Sequence, residues 1–259
     1  GTSSWVRSTD GVKEPVIWRS ADGTIKTFTT TTDNPCILVN YGENHRFENL
    51  KFENSAGTKV NAHGIQTGEY NQTHVFKNCI FGDATNTLQR GMSSLGWSGD
   101  QPSVRFINCE IAHCISDGIH FDTQWAVAHV QGCSIHDNGG HGIYLESMGG
   151  FEIIDTIIYD NGGDGVHVGS IGYYGIYYWA AMTIERCTIH GNTGDGIDFG
   201  GAAKNQASAG VISNNITGNG GYGIKDTNTL TDPNNGSAAF VDYNNFGTGS
   251  TANTSGTIS

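Results

Sequence analysis

A six-residue pattern recurs eight times along the 259-residue chain. It reads apolar residue, two others, a second inward residue, one more, apolar residue. It starts at Phe47 (FENLKF), Phe76 (FKNCIF), Phe106 (FINCEI), Val130 (VQGCSI), Ile153 (IIDTII), Ile184 (IERCTI), Val211 (VISNNI) and Val241 (VDYNNF). A glycine beside an apolar residue follows each of the first seven, at Gly64, Gly91, Gly118, Gly142, Gly165, Gly196 and Gly223. In the last five complete repeats the glycine comes 12 residues after the first apolar residue. The return from the glycine to the next repeat varies from 11 to 19 residues. One arc of the unit has constant length, and all insertions fall on the other. Short alternating strands with such a period form a solenoid of coils. No coil can bury its apolar residues alone, so coils stack, about 4.8 Å apart. Glycine is abundant (38) and proline scarce (4), which suits many short strands joined by turns.

Stacking turns the repeat into columns. Cys79, Cys109, Cys133 and Cys187 share one inward column, interrupted by Thr156, and read as small buried hydrophobes. No CxxC zinc spacing occurs among them. Cys114 shares another column with Asn138, Asn161, Asn192 and Asn219. Those asparagines are expected to bond the backbone of the next coil at a turn.

The unit N-x-G-D-G-I … C-x-I, with its Asn and Cys columns, resembles the right-handed parallel β-helix of the pectate-lyase-like superfamily. The resemblance runs over residues 36 to 246, and EPVIWRSADG resembles a first coil of carbohydrate-active members. It implies an all-β, single-stranded right-handed parallel β-helix of about eight coils. Residues 1–259 are expected to form a single domain, complete or as a segment of a longer chain. The superfamily includes polysaccharide lyases, glycoside hydrolases, uronan epimerases and phage tailspikes, and fold alone does not choose among them.

Strand alternation in GIHFD points Ile119 and Phe121 inward and His120 and Asp122 outward. The same parity exposes Tyr144 and Glu146, His167 and Gly169, and Asp198 and Gly200. One outer column then reads Gln66, Ser93, His120, Tyr144, His167, Asp198, Lys225, while a second sets Asp122 beside Glu146. Coil stacking would hold that carboxylate pair about 5 Å apart, close enough to split it into an acid and a base and suited to a retaining glycosidase. His120 and His167 are candidate proton shuttles, and Tyr144 assists them. Asp117, Asp164 and Asp195 precede glycine and read as turn residues. A competing column, His136, Tyr159 and His190, lies on the constant arc.

The insertions overhang the first column. Trp97 and Trp125 lie before it; Tyr173, Tyr174, Tyr177, Tyr178 and Trp179 lie in the longest insertion after it. Their faces would stack on sugar rings, with Asp198 as a further binding residue.

Charge narrows the partners. The net charge of −12 repels nucleic-acid backbones and anionic membranes. No apolar run reaches the length of a membrane span. Between Arg105 and Arg186 there are ten acids and no Lys or Arg. A polyuronate would need its carboxylate neutralised. Either Ca²⁺ joins the carboxylates, since it prefers oxygen ligands, or the ligand is a neutral glycan, the simpler expectation. No cofactor is required and no metal ligands are assigned.

Two readings stand. The first is an extracellular polysaccharide-active enzyme, its hydrolase, lyase or epimerase chemistry left open. The hydrolase GDD motif is absent, and the similarity to uronan epimerases is confined to His and Tyr beside Asp on neighbouring coils. The second is a non-catalytic fibre of a tailspike, virion or cell surface. Its coils would be uncapped at both ends, and it would associate as a homo-oligomer through residues 170–181 or through those ends.

Overall fold

In the computed structural model the described residues are 16–20, 22–31, 34–39, 44–55, 65–67, 73–85, 87–96, 103–123, 126–171, 181–200, 208–226, 238–247 and 252–255. They contain strands and turns and no helix. Three sheets each hold nine strands, and each sheet takes every third strand of the chain. The first sheet runs from Val16–Arg19 to Ala238–Asp242, and the second from Lys26–Thr30 to Asn245–Phe246. The third runs from Ile37–Val39 to Ala252–Ser255. Pairing between successive coils is parallel and in register, as in Ile119↔Ile143↔Val166↔Ile197↔Ile224. The expected β-helix is therefore present, and its sheets are nine strands deep. The strand beyond the eight repeats is Val16–Arg19, which pairs with His45–Glu48.

The core is a set of like residues stacked along the solenoid axis. Phe47, Phe76 and Phe106 stack at 5.0 and 5.1 Å between ring centroids, and Phe52 stacks on Phe81 at 4.9 Å. All five are fully buried. The cysteine column is also internal: Cys79, Cys109, Cys133 and Cys187 are buried free thiols. Burial leaves the Cys187 thiol pushed up to about 11, against hydrogen bonds with the Thr156 and Glu185 backbone that lower it.

The constant arc has a backbone cause. Single residues in the left-handed region sit on both sides of the second sheet. Asn49, Asn78, Asn108, Asp155 and Arg186 precede its strands; His113, Asp137 and Asp160 follow them, all with φ between 52° and 56°. One such residue turns the chain sharply without adding length. An insertion there would break two turns per coil, so insertions collect elsewhere.

The asparagine ladder forms as expected. The Asn138, Asn161, Asn192 and Asn219 Oδ1 atoms accept the backbone N–H of the preceding coil's equivalent residue at 3.0–3.2 Å. Each Nδ2 donates to an isoleucine carbonyl, of Ile111, Ile135, Ile158 and Ile189 respectively. These amides are at most 2% exposed. They satisfy backbone groups that a coil corner would otherwise strand away from water. The repeated glycine answers a close approach. A Cβ on Gly165 would lie 2.6 Å from the carbonyl oxygen of Gly196 and 2.7 Å from Ile189 Cγ2.

Candidate proton-transfer site on the third sheet

The third sheet builds the site from its turns outward. Asp117, His141, Asp164, Asp195 and Tyr222 stack at its entry, each just before the glycine column. The first four side chains of this stack each accept the backbone N–H of the next coil. Asp117 Oδ1 accepts from His141 at 2.9 Å, and His141 Nδ1 from Asp164 at 2.9 Å. Asp164 Oδ1 accepts from Asp195 and Asp195 Oδ1 from Tyr222, both at 2.6 Å. The turn reading of the aspartates is thus correct for one oxygen of each.

The other oxygen faces the outer column. Asp117 Oδ2 lies 2.8 Å from His120 Nδ1, and Asp164 Oδ2 lies 2.8 Å from His167 Nδ1. Asp195 Oδ2 lies 3.3 Å from Lys225 Nζ. The spacing D-G-I-H and D-G-V-H places carboxylate and imidazole three residues apart, with the carboxylate at the turn and the ring one coil-face further on. Sequence reasoning treated the two halves of this word separately and so missed the dyad. A carboxylate on Nδ1 fixes the ring and leaves Nε2 as the working nitrogen. Neither Nε2 has a hydrogen-bond partner among the described residues.

The column stacks as the alternation predicts. His120 and Tyr144 pair in register with ring centroids 4.6 Å apart and planes 9° apart. Tyr144 and His167 follow at 5.2 Å and 2°. His141, which was not among the predicted residues, adds its ring 5.6 Å from Tyr144 and 4.6 Å from His167. The Tyr144 hydroxyl donates to Glu146 Oε2 at 2.7 Å. Burial, then this bond and the charge of Glu146, hold the phenol well above its ordinary range, so it remains protonated.

Asp122 pairs in register with Glu146 and is exposed, while Glu146 is half-buried. The strand carrying Glu146 is paired with Val166–Ile171 through a bulge. Leu145 faces Val168 and Glu146 faces Ser170, so Gly169 is the extra residue. A Cβ on Gly169 would stand 3.5 Å from the Tyr144 hydroxyl; glycine keeps that approach open.

Electrostatics separate the two dyads. Burial raises the Asp164 carboxyl, but the nearby His141 ring, a hydrogen bond from His167 and one from the Asp195 backbone N–H outweigh it, and the group ends well below the usual carboxylate range. Its bond to His167, more than offsetting burial, lifts that imidazole above its ordinary value. Asp198 Oδ2 adds a second carboxylate 3.5 Å from His167 Nδ1. Asp117 is likewise lowered: burial opposes, and His120 with the His141 N–H prevails.

Three expectations need correction. Asp198 was expected outside, as a sugar-binding residue, yet it is 5% exposed. It lies under Lys225, whose Nζ is 3.0 Å from Oδ2, and beside His167. Ser93, in the same column, is fully buried. The expected lack of cations is true along the chain between Arg105 and Arg186 but not in space. Stacking brings Arg90 Nε to 3.4 Å from Asp117 Oδ2 at one end and Lys225 onto Asp195 and Asp198 at the other. Trp97, Trp125, Tyr173, Tyr174, Tyr177, Tyr178 and Trp179 lie outside the described residues.

Comparison with known proteins supplies the family. Among solved structures, the chain is similar to the Azotobacter vinelandii mannuronan C-5 epimerase AlgE6 A-module, at 13% identity and a TM-score of 0.45. That likeness covers 83% of this chain and 62% of the other, so this chain spans less than two thirds of that relative. The AlgE4 A-module of the same organism follows at 11% identity and a TM-score of 0.44, covering 95% of this chain and 90% of that one. The periplasmic alginate epimerase AlgG gives 13% identity and a TM-score of 0.22, covering 88% and 79%. No curated protein sequence matches the chain. The family model for the right handed beta helix region matches residues 35–172 and 97–256. With three parallel sheets and a ladder of asparagines at their corner, the chain belongs to the right handed beta helix family.

Proposed function

We propose that the outer face of the third sheet binds an acidic polysaccharide outside the cytoplasm and moves protons on it. The observation that carries this reading is the stacked row His120–Tyr144–His167, with both imidazoles held at Nδ1 by turn aspartates. A uronic acid needs three things to lose the proton beside its carboxylate. It needs a base, a positive partner for the carboxylate, and a proton donor. His167, facing Asp164 and Asp198, is the positive partner. His120, whose single carboxylate is shared with Arg90, takes the proton at Nε2. Tyr144, protonated and bonded to Glu146, gives one. Donation to the oxygen that leaves the next carbon completes an elimination. Donation to the opposite face of the first carbon inverts it. Arg90 and Lys225 at the two ends favour an anionic chain lying across the coils.

The test is incubation in deuterated water with a panel of polyuronates and neutral glycans, with a chelator arm for Ca²⁺. Deuterium at the carbon beside the carboxylate, or a new double bond absorbing in the ultraviolet, supports proton transfer. Both signals should fall in His120→Gln and Tyr144→Phe. A second reading, hydrolysis, rests on the register pairing of Asp122 with Glu146. New reducing ends from a neutral glycan, lost in Glu146→Gln and kept in His120→Gln, would replace the first reading with the second.

A further inference from the structure

The second sheet carries a donor cluster that the proton-transfer row does not use. Its residues come from two successive coils. Glu110, Ile111 and Ala112 form one strand, with His113 at the turn that follows; Ser134, Ile135 and His136 form the next, with Asp137 at its turn. His113 and Asp137 occupy equivalent left-handed turn positions, with φ of 55° and 52°. In other coils this place is held by Gly82, Asp160, Gly191 and Gly218. A left-handed histidine is uncommon, because its Cβ crowds the backbone where glycine would not. The consequence is that one imidazole and one carboxylate stand above each other at a corner, beside the ring of His136.

The donor atoms converge. One nitrogen of His113, one of His136 and a carboxylate oxygen of Asp137 all lie within 4.8 Å of one another. The His113 and His136 rings are 5.8 Å apart between centroids. His136 Nδ1 is 2.8 Å from Asp137 Oδ2, and its other nitrogen, Nε2, is 3.5 Å from Glu110 Oε1. The His136 side chain is 12% exposed, and that of Asp137 is 46%. One imidazole is therefore bracketed by two carboxylates, one at each nitrogen.

We propose that His113, His136 and Asp137 bind a borderline divalent ion, zinc by preference, with Glu110 orienting His136 from behind and one coordination position left open. Zinc takes histidine nitrogen and carboxylate oxygen at about 2.0–2.2 Å, and two histidines plus one carboxylate is an open three-ligand set. Ligand atoms within 4.8 Å close onto such an ion by small rotations of the half-exposed His113 and the exposed Asp137. Two imidazoles select against calcium and magnesium, which prefer oxygen. The Glu110–His136 contact supplies the carboxylate that a metal-bound histidine ordinarily has on its far nitrogen. The cation takes the Nδ1 position that faces Asp137, and the neutral ring carries its one hydrogen on Nε2, toward Glu110. The ion would join two coils at a corner where the His113 N–H already meets the His136 carbonyl at 3.4 Å.

The experiment is equilibrium dialysis of the whole chain against zinc, with metal counted per protein. Co²⁺ serves as a spectroscopic probe of tetrahedral coordination, and Ca²⁺ and Mg²⁺ as controls. One tightly held zinc per chain is expected, with visible cobalt bands and no comparable calcium uptake. His113→Gly removes a ligand and relaxes the turn, so that variant should fold and retain no zinc at this site. Asp137→Asn keeps the turn and should also lose it. Glu110→Gln should weaken affinity by about 10–100-fold. His141→Gln, which alters the other mixed His and Asp cluster, should leave zinc binding intact. Failure of the wild type to hold zinc overturns the proposal. So does zinc retained at full affinity in folded His113→Gly, or zinc lost only in His141→Gln.

Discussion

Replacing Asp164 by Asn tests the dyad at its most coupled point. The amide oxygen of Asn can still accept the Asp195 N–H, so the ladder between coils is kept. What changes is Oδ2, which lies 2.8 Å from His167 Nδ1 and 3.3 Å from His141 Nδ1. An NH₂ group there donates instead of accepting. His167 must then leave Nδ1 unprotonated to accept from that group, so the ring loses the positive charge that the proposed chemistry asks of it. The energetic cost follows from exchanging one charge-assisted bond for a neutral one. The first is worth about 1.5–3 kcal/mol and the second about 0.5–1.5, so the loss is about 1–2 kcal/mol. Both side chains are under a quarter exposed, so solvent screens little of it. The sign with pH is fixed by the two directions. Asp164 is lowered, so its contribution is present above the ordinary Asp value of about 3.9 and fades as pH falls through the folded value. His167 is raised, so its contribution is full below the ordinary His value of about 6.5 and is lost as pH rises through the folded value. The ion pair therefore stabilises most between about pH 4 and 6.5. Urea unfolding of wild type and Asp164→Asn should differ by about 1–2 kcal/mol inside that window and by clearly less at alkaline pH. A proton NMR titration should show the His167 midpoint moving down in the variant. An unchanged midpoint, or a stability difference independent of pH, would refute the dyad.

Tyr144→Phe keeps the stack between His120 and His167 and removes only the bond to Glu146. Unfolding free energy should fall by about 1 kcal/mol or less while glycan turnover falls far more, read by parallel urea melts and rate assays. Asn161→Ala strands the Asn138 N–H and the Ile135 carbonyl in the interior, which at about 1–3 kcal/mol each predicts a loss of about 2–6 kcal/mol in urea unfolding. Gly165→Ala forces a methyl against the Gly196 carbonyl and Ile189, so it should lose about 1–3 kcal/mol or more, whereas Gly169→Ala should be mild for stability.

The fold was legible because its signal is a period. Phe47, Phe76 and Phe106 fall into one column whatever lies between them, and Asn138, Asn161, Asn192 and Asn219 recur at one corner. Parity along a strand was enough to place His120, Tyr144 and His167 on one face. Parity failed at Asp198 because an outward side chain can still be covered by the next coil's Lys225. It could not see Arg90, which reaches Asp117 from another coil. It also could not see that a turn aspartate has two oxygens with different partners. His141 was missed because it sits in a turn column where charge, not aromatic character, is the rule.

That exception at His141 helps explain how a site arises on so regular a scaffold. Asp117, Asp164 and Asp195 each give one oxygen to the next coil's backbone and one to the outer face. A ladder of aspartates alone would make a uniform row of dyads, each alike and each repelling its neighbours. At position 141 the ring uses Nδ1 for the backbone contact that an aspartate oxygen makes elsewhere. It thereby removes one negative charge from the middle of the stack and puts an aromatic surface against Tyr144 and His167. The next outer residue, Tyr144, has no turn carboxylate beneath it and turns instead to Glu146 on its own strand. The repeat supplies the spacing and the backbone satisfaction. Chemical differentiation, a proton donor set between two carboxylate-held imidazoles, enters where one coil departs from the repeat while still meeting its structural demand. Restoring the rule with His141→Asp should therefore preserve the fold, since the backbone acceptor is replaced, and return a negative charge beside His167. The His167 midpoint, read by NMR, should then rise. A midpoint unchanged from the wild type would mean that the departure at His141 is not what differentiates the site.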